Sequence, residues 1–349
     1  MLNTKTIIRA LTFIAFNIVV ALGLLEGLLL LLLHAPSLTG ATPRPVRRLV
    51  QQVYRHFNRM LIQFDPNCSR YDPLLTYTLR AGECTFSNIE FSTRIYANPL
   101  GVRDDDEALV APEVIVLGDS HVMGWGVEQD ETLVRALARA TGLKTLDAGV
   151  SSYGTVREMR ILDRLDTTHL KYLIVQYADN DLPENRSFRE HDGSIPITPE
   201  DQYRKIVDYY RAQRSYYPGK YVFRLFMKIS RLEAPEPDQL TMGNASPAEE
   251  ADLFLNVLAH GTQTTPLDDV QVIVFEINEQ IQPPRPFIAA LDQARRRADY
   301  PAWIQRLIAV DVAPKLTPQD FFVLDDHMRP SGHRKVGEAL AEHVPRSRR

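Results

Sequence analysis

Five short apolar runs recur along the last two thirds of the chain, with helix-like patterns or polar stretches between them. Apolar strands that alternate with amphipathic helices at about thirty-residue spacing are typical of βαβ units, whose strands form a parallel sheet. The sequence therefore predicts a three-layer α/β/α domain with a parallel five-stranded sheet. The runs are VIVLG (114–118), KTLDAG (144–149), YLIVQYA (172–178), VQVIVFEI (270–277) and LIAVDV (307–312).

The stretch from Ala10 to Leu33 is almost wholly apolar. As a helix it is long enough to cross a hydrocarbon core of about 30 Å, so it predicts a transmembrane anchor at 10–33. Lys5 and Arg9 precede it, but three arginines follow it; the positive-inside rule favours a cytoplasmic N-terminus at 1–9 without deciding it. The alternative is a signal peptide cleaved after small residues at 39–41, although such peptides have an apolar region of only about 7 to 15 residues.

Glu26 lies inside this apolar stretch, where a carboxylate is costly in lipid. It indicates either a polar partner helix or a position near the outer interface. Residues 34–110 are predicted to form a linker and a lead-in region of short strands. Within them, helical spacing of apolar residues at 46–61 indicates a helix that lies on a bilayer surface or packs on its own domain.

The chain has two cysteines, Cys68 and Cys84, both after the apolar stretch. If this part is exported, a disulfide between them is expected; two separate buried thiols are the alternative. The 40 basic and 44 acidic residues give a net charge of -4, which provides no positive field for a phosphate backbone. We therefore expect no nucleic-acid partner. Neither a His/Cys cluster at metal-ligand spacing nor a glycine-rich phosphate loop is evident, so no metal or cofactor is expected.

Three polar or glycine positions follow consecutive predicted strands, and ligands of parallel sheets bind at the carboxyl ends of strands. Ser120, in LGDSHVMGWGV, lies on the turn after the first strand, where its hydroxyl can act as a nucleophile. Gly149 follows the second strand and lets a backbone N–H approach an oxyanion closely. Asn180 follows the third strand, and its amide is a further candidate donor. Each feature alone is typical of an ordinary turn.

A serine hydroxyl needs a base, and the base needs an orienting group. His327 lies just before the predicted closing helix (331–343), in LDDHMRPSGH, and is the candidate base. Asp325, two residues earlier, is the predicted orienting acid, with Asp326 as the alternative. His333 is a rival base, but it falls inside the closing helix, where packing or capping is expected. His121, beside the nucleophile, either contacts substrate or has no catalytic duty.

In their order and their positions after the strands, these residues resemble the four conserved sequence blocks of the SGNH (GDSL-like) hydrolases. The resemblance is to the bacterial, membrane-anchored members of that family. The resemblance extends over about 90–344 and implies a flavodoxin-like sheet, attack by Ser120 on an acyl carbonyl, and proton transfer through His327. It also implies an oxyanion hole of the Ser120 N–H, the Gly149 N–H and the Asn180 amide. The family often places its acid three residues before the histidine, where this chain has Leu324.

The resemblance implies a hydrolase domain at 111–345, with an insertion at about 183–265. Three functions remain open. The first is an esterase acting on carboxylic, O-acyl or O-acetyl esters; the second is an O-acyltransferase acting on a glycan or lipid, with a membrane partner supplying the acyl donor. The third is an idle binding module. The expected location is the bacterial inner membrane, single-pass, with the catalytic domain in the periplasm.

Overall fold

The computed structural model describes residues 4–230, 245–278 and 286–346. These residues divide into two units. Unit 1 consists of the described residues of Met1–Met60, Asp208–Gln239 and Val323–Asp325, and unit 2 of the others. The described strands are β1 (Ser69–Asp72), β2 (Thr76–Leu79), β3 (Gly82–Ser87), β4 (Ser92–Ala97), β5 (Val114–Leu117), β6 (Thr145–Asp147), β7 (Tyr172–Tyr177), β8 (Gln271–Glu276) and β9 (Ile308–Val310).

The helices lie before, between and after these strands. Short 3₁₀ turns add to them, including one at Asp179–Asp181. The described α-helices are α1 (Thr4–His34), α2 (Pro36–Ala41), α3 (Arg44–Phe57), α4 (Ser120–Met123), α5 (Leu133–Thr141), α6 (Thr155–Leu162), α7 (Leu182–Glu190), α8 (Glu200–Gln213), α9 (Lys220–Ile229), α10 (Pro247–His260), α11 (Phe287–Ala294), α12 (Ala302–Gln305) and α13 (Pro330–Ala341).

Unit 2 is built on a five-stranded sheet in the order β6-β5-β7-β8-β9, and every neighbouring pair is parallel. The predicted parallel five-stranded α/β fold is confirmed. The first strand, β5, lies between β6 and β7, so the strand order reverses there. At such a switch point the loops after adjacent strands separate and leave a crevice for ligands.

Helices cover both faces of this sheet. Because successive strand residues point to opposite faces, Val114, Val116 and Ile174 form one core with residues of α5 and α13. Helices α6, α7 and α11 contact α10, which carries a row of buried apolar residues including Phe254. Helix α10 falls inside the predicted insertion, but it is the covering helix of the β7-to-β8 connection.

Two β-hairpins precede the sheet in unit 2. Strands β1 and β2 pair antiparallel, as do β3 and β4. Cys68, just before β1, and Cys84, on β3, are joined by a disulfide with their Cα atoms 5.5 Å apart. This bond ties the first hairpin to the second.

Unit 1 contains α1, which is long and apolar enough to cross a membrane. Its apolar side chains are largely exposed from Ile7 to Leu25, whereas Glu26, Leu29 and Leu33 are buried. Helix α1 contacts α2, α3 and α9, which belong to the same unit. Helix α3 buries one face, which includes Tyr54. Of the two alternatives for the segment at 46–61, packing on its own unit is the one observed.

Candidate active site

Ser120 is placed by a tight turn between β5 and α4. The Asp119 side chain accepts a hydrogen bond from the His121 N–H at 2.8 Å and thereby caps α4. Gly118 is required for close packing, because a Cβ there would lie 2.3 Å from Val122 Cγ2 and 2.6 Å from Gln176 Oε1. Ser120 is therefore the first residue of a helix that leaves the sheet at the switch point.

His327 lies directly against the nucleophile. Its Nε2 is 2.7 Å from Ser120 Oγ, and its Nδ1 is 3.1 Å from Asp326 Oδ1. The Asp326 side chain is fully buried, and Ser120 and His327 are only 8% and 6% exposed. If Nδ1 carries the proton that Asp326 accepts, Nε2 is free to accept the hydroxyl proton of Ser120.

Two further rings pack on the imidazole of His327. Trp125 stacks on it with centroids 4.7 Å apart and planes 17° apart, and His121 packs at the same distance with planes 32° apart. Trp125 and His121 are also buried. These contacts restrict rotation of the imidazole and so favour the orientation in which Nε2 faces Ser120.

The carboxylate in contact with His327 Nδ1 is that of Asp326, the predicted alternative acid. Asp325 is equally buried, but its Oδ2 accepts a 2.6 Å hydrogen bond from the Tyr54 hydroxyl. The two neighbouring aspartates nevertheless stay close, since one carboxylate oxygen of each and one ring nitrogen of His327 lie within 4.8 Å of one another. The contact with His327 Nδ1 favours Asp326, the predicted alternative, and the role predicted for Asp325 stays a prediction.

Gly149 is close to the nucleophile for a reason other than the predicted one. A Cβ at this position would lie 2.3 Å from the Met123 backbone nitrogen, so the absence of a side chain lets β6 pack on α4. Its N–H donates to Asp147 Oδ1 at 3.0 Å. This donor is used within its own turn, and the oxyanion role of Gly149 stays a prediction.

Asn180 lies in the 3₁₀ turn that follows β7, and its side chain is exposed. The next residue, Asp181, is buried, and its Oδ2 accepts hydrogen bonds from the Thr155 hydroxyl at 3.0 Å and the Ala178 N–H at 3.4 Å. The turn is thereby anchored at Asp181, while the Asn180 amide remains at the solvent-facing side of the strand end. This position suits a donor that meets a ligand entering from solvent.

Two carboxyl groups beside this turn have raised pKa values. Burial raises the pKa of Asp181 well above its ordinary value, and the neighbouring charge of Asp119 adds to this effect. Burial likewise raises the pKa of Glu158, with a further contribution from Asp181. A raised pKa favours the uncharged form of a carboxyl group, which is the form that does not repel an anion near the strand ends.

His333 is not a second base at this site. Its ring is completely buried in α13, and Nδ1 accepts a hydrogen bond from the Leu133 N–H at 3.2 Å. Burial lowers the pKa of His333 well below its ordinary value, and the charges of His121, Arg103 and His327 lower it further. The imidazole is therefore neutral and joins α13 to α5, in line with the expected packing role.

Sequence reasoning missed two buried positioning residues. Arg103 donates to the carbonyl oxygens of Met123, Gly124 and Val127 at 2.9, 2.5 and 2.7 Å, which fixes the loop after α4. Burial lowers the pKa of Arg103 to about 10. Gln176, on β7, accepts from the Asp119 N–H at 3.2 Å. The sequence signal was a lone arginine in an apolar setting, LGVRD, and a lone glutamine inside an apolar strand.

The order of site residues along the sheet identifies the type of fold. A serine follows the first strand, an asparagine follows the third, and a histidine precedes the closing helix; the sheet has the flavodoxin-like order. The fold is SGNH-hydrolase-like. No protein-family model and no curated protein matches the chain.

Solved structures of three esterase or lipolytic proteins are similar to this chain. A lipolytic protein of the G-D-S-L family from Desulfitobacterium hafniense is 9% identical, with 66% of this chain and 98% of that chain covered and a TM-score of 0.34. A carbohydrate acetylesterase family member from Sinorhizobium meliloti is 12% identical, with 66% and 97% covered and a TM-score of 0.33. A carbohydrate esterase family 2 enzyme with a carbohydrate-binding domain, from Corynascus thermopiles (Myceliophthora fergusii), is 12% identical, with 66% and 64% covered and a TM-score of 0.35. At these scores the likenesses carry no argument about the reaction, which rests on the site residues.

Proposed function

We propose that this chain is a serine esterase that cleaves O-acyl esters through an acyl-enzyme at Ser120. The observation that carries the proposal is the buried relay of Ser120 Oγ, His327 and Asp326, with contacts of 2.7 and 3.1 Å. A surface serine lacks a base within hydrogen-bond reach. Here base and orienting acid are both in place, which is the arrangement that makes a hydroxyl nucleophilic.

In the proposed reaction, Ser120 Oγ attacks the ester carbonyl carbon while its proton passes to His327 Nε2. The carbonyl π electrons move onto the oxygen, forming a tetrahedral oxyanion. When the oxyanion collapses, the bond to the alcohol oxygen breaks and that oxygen takes the proton from His327. Water then repeats the sequence, giving its proton to His327 and releasing the carboxylic acid from Ser120.

Two groups are positioned to donate to the oxyanion in this proposal. The Ser120 N–H belongs to the first turn of α4, where backbone N–H groups lack intrahelical acceptors. The Asn180 amide is exposed at the end of β7. They are two of the three donors implied by the family resemblance; the third, the Gly149 N–H, also donates to Asp147.

We also propose that α1 is an uncleaved anchor in the bacterial inner membrane and that the catalytic unit faces the periplasm. The buried end of α1, from Glu26 to Leu33, packs on helices of its own unit, which a cleaved signal peptide would not do. The Cys68–Cys84 disulfide suits an oxidising compartment. Alkaline phosphatase fused after Arg349 should be active; an inactive fusion, with a cytoplasmic reporter working at the same point, would refute this orientation.

The reaction is tested with full-length protein in detergent and short acyl esters, with and without O-acetylated glycans. Release of free acid that depends on Ser120 supports the esterase. Acyl groups found on an added glycan or lipid acceptor, with little free acid, would instead favour the transferase, because both reactions use the same acyl-enzyme. A fluorophosphonate probe that labels wild type and Ser120→Ala equally would end the case for this nucleophile.

A further inference from the structure

Helix α9 carries an apolar stripe that the described residues leave exposed. Phe223, Phe226 and Ile229 are 52%, 60% and 79% exposed, whereas among the helix residues only Lys220 and Tyr221 are buried. Because these residues are three positions apart in the chain, their side chains lie along one side of the helix. Adjacent large apolar groups exposed in this way are typical of a membrane or protein interaction surface.

Glu26 of α1 fixes the beginning of α9. Its carboxylate oxygens accept hydrogen bonds from the Tyr221 N–H at 3.3 Å and the Val222 N–H at 2.9 Å. The first turn of a helix leaves such N–H groups without intrahelical acceptors, and a carboxylate also interacts well with the helix dipole. Glu26 is only 6% exposed. The costly acidic residue in an apolar helix thus has a structural use, and it sets the level on α1 at which α9 starts.

That level is the point on α1 at which buried residues begin: Glu26, Leu29, Leu32 and Leu33 are buried, while Leu28 and Leu31 stay exposed. The exposed stretch from Ile7 to Leu25 spans about 28 Å at 1.5 Å per residue, close to the roughly 30 Å of a hydrocarbon core. Glu26 follows immediately. If α1 crosses a bilayer, the first turn of α9 lies at its surface. Tyr216 and Tyr217, just before α9, are 48% and 44% exposed, and tyrosines concentrate at membrane interfaces.

We propose that α9 is an interfacial helix whose Phe223, Phe226 and Ile229 enter the bilayer leaflet next to the folded part of the chain. The inference rests on the proposal that α1 is a membrane anchor. The charged residues of α9 are all basic; Lys220 is buried, but Lys228 is exposed and Arg224 is half-buried, and their positive charge matches the anionic headgroups of bacterial lipids. The occupant of the apolar stripe is therefore lipid, and α9 holds unit 1 against the membrane surface.

The test uses full-length protein in vesicles of phosphatidylethanolamine and phosphatidylglycerol. Single cysteines are introduced by Phe226→Cys, by Val19→Cys on α1 and by Lys205→Cys on α8, and each is given a nitroxide label. Cys68 and Cys84 do not react because they are bonded. Val19 is 68% exposed on the apolar helix, and Lys205 is exposed on a polar one, so they serve as lipid and water references.

The label at 226 should resemble that at 19, with a ratio of oxygen to nickel-chelate collisions several-fold higher than at 205. A water-like ratio at 226 beside a lipid-like ratio at 19 would overturn the interfacial helix and leave the anchor intact. A water-like ratio at 19 would overturn both. Spin–spin broadening at 226 that fades on lipid dilution would assign the stripe to a second copy instead. As a second measurement, Phe226→Trp should be quenched by brominated lipid, and unquenched emission would refute the proposal.

Discussion

The hydroxyl of Tyr54 donates a 2.6 Å hydrogen bond to Oδ2 of Asp325, and both side chains are completely buried. Tyr54 lies on α3, whose Gln51 also donates to the Val323 carbonyl oxygen at 2.7 Å. Helix α3 therefore holds residues 323–325. Asp325 directly precedes the acid and base of the proposed relay in the chain, so its position influences where those side chains begin.

Replacing Tyr54 by phenylalanine should lower both stability and turnover. The change leaves a buried carboxylate short of one donor, which should reduce the free energy of unfolding by about 1–3 kcal/mol. The ester kcat should fall while KM changes little, because Tyr54 acts only through the backbone next to the relay. Denaturant unfolding and ester kinetics measure both effects. Tyr96→Phe is the control, since it removes a longer, exposed bond to Asp106. Equal behaviour of the two variants would contradict the role given to Tyr54.

The relay predicts a ranking of four single variants and one double variant. Ser120→Ala and His327→Ala should each remove nearly all turnover, and the double variant should be scarcely worse because the two residues act as one unit. Asp326→Asn should lower kcat by about 10⁴-fold, since the amide no longer holds the required imidazole tautomer. Asp325→Asn should cost less turnover. If Asp325→Asn proves the more damaging change in kcat, the original assignment of the acid was right and the geometric one is wrong.

Much of the sheet could be predicted because each strand is apolar on both faces, which only a covered parallel sheet requires. Helix α10 lies within the predicted insertion at about 183–265, and its contacts with α6, α7 and α11 could not be read from the sequence. The burial of Lys220 and the exposure of Phe226 also run against their hydropathy. The buried Lys220 Nζ donates to the Gln213 carbonyl oxygen, and Glu26 of α1 accepts from the N–H groups that follow it; such contacts leave no local pattern in the sequence.

The nucleophile and base could be found from the sequence because chain order brings strand ends and the closing helix together. The acid could not be chosen from the sequence, because Asp325 and Asp326 are adjacent. Only the folded chain, which bends at 323–325, shows that the Asp326 carboxylate contacts His327. Gly149 shows the same limit. Its missing Cβ is needed for packing on Met123, whereas the sequence suggested that the glycine serves an oxyanion.

Asn180→Ala tests the exposed oxyanion donor. Loss of one donor that acts only on the developing charge should lower kcat by about 10²- to 10³-fold with little change in KM. Because the Asn180 side chain is exposed, the melting temperature should hardly move. Asn67→Ala, in a turn of the lead-in region, is a control for general effects of the substitution. Wild-type kcat in Asn180→Ala would remove this residue from the reaction.

The Cys68–Cys84 bridge should stabilise unit 2 without touching the reaction. It closes a loop of 16 residues, and loops of about this length are worth about 3 kcal/mol in the chain-entropy description. Native exported protein should resist alkylation until it is reduced, and Cys68→Ser with Cys84→Ser should unfold at lower denaturant concentration. The folded double variant should keep its ester kcat. Free thiols in the exported wild type would remove the disulfide.

His333 should make the protein lose stability in mild acid. Because burial and the charges of His121, Arg103 and His327 lower the pKa of His333 well below 6.5, the unfolded chain binds its proton more readily than the folded one. The stabilising contribution is therefore complete above pH 6.5 and is lost as the pH falls below 6.5, by up to about 1.36 kcal/mol per pH unit. His333→Asn places an amide oxygen where Nδ1 accepts the Leu133 N–H, so it keeps the hydrogen bond and removes the titration.

The difference between wild type and His333→Asn isolates this group from others. Burial raises the pKa of Glu276 to about 7, which has the opposite sign: its contribution is complete below about 4.5 and is lost as the pH rises toward 7. Glu276 is unchanged in the variant, so its effect cancels when unfolding free energies of the two proteins are subtracted. The variant should lose less stability than wild type between pH 6.5 and 5, measured by denaturant unfolding. His343→Asn, on an exposed side chain, should follow wild type. Parallel pH profiles for wild type and His333→Asn would mean that the buried imidazole does not control acid stability.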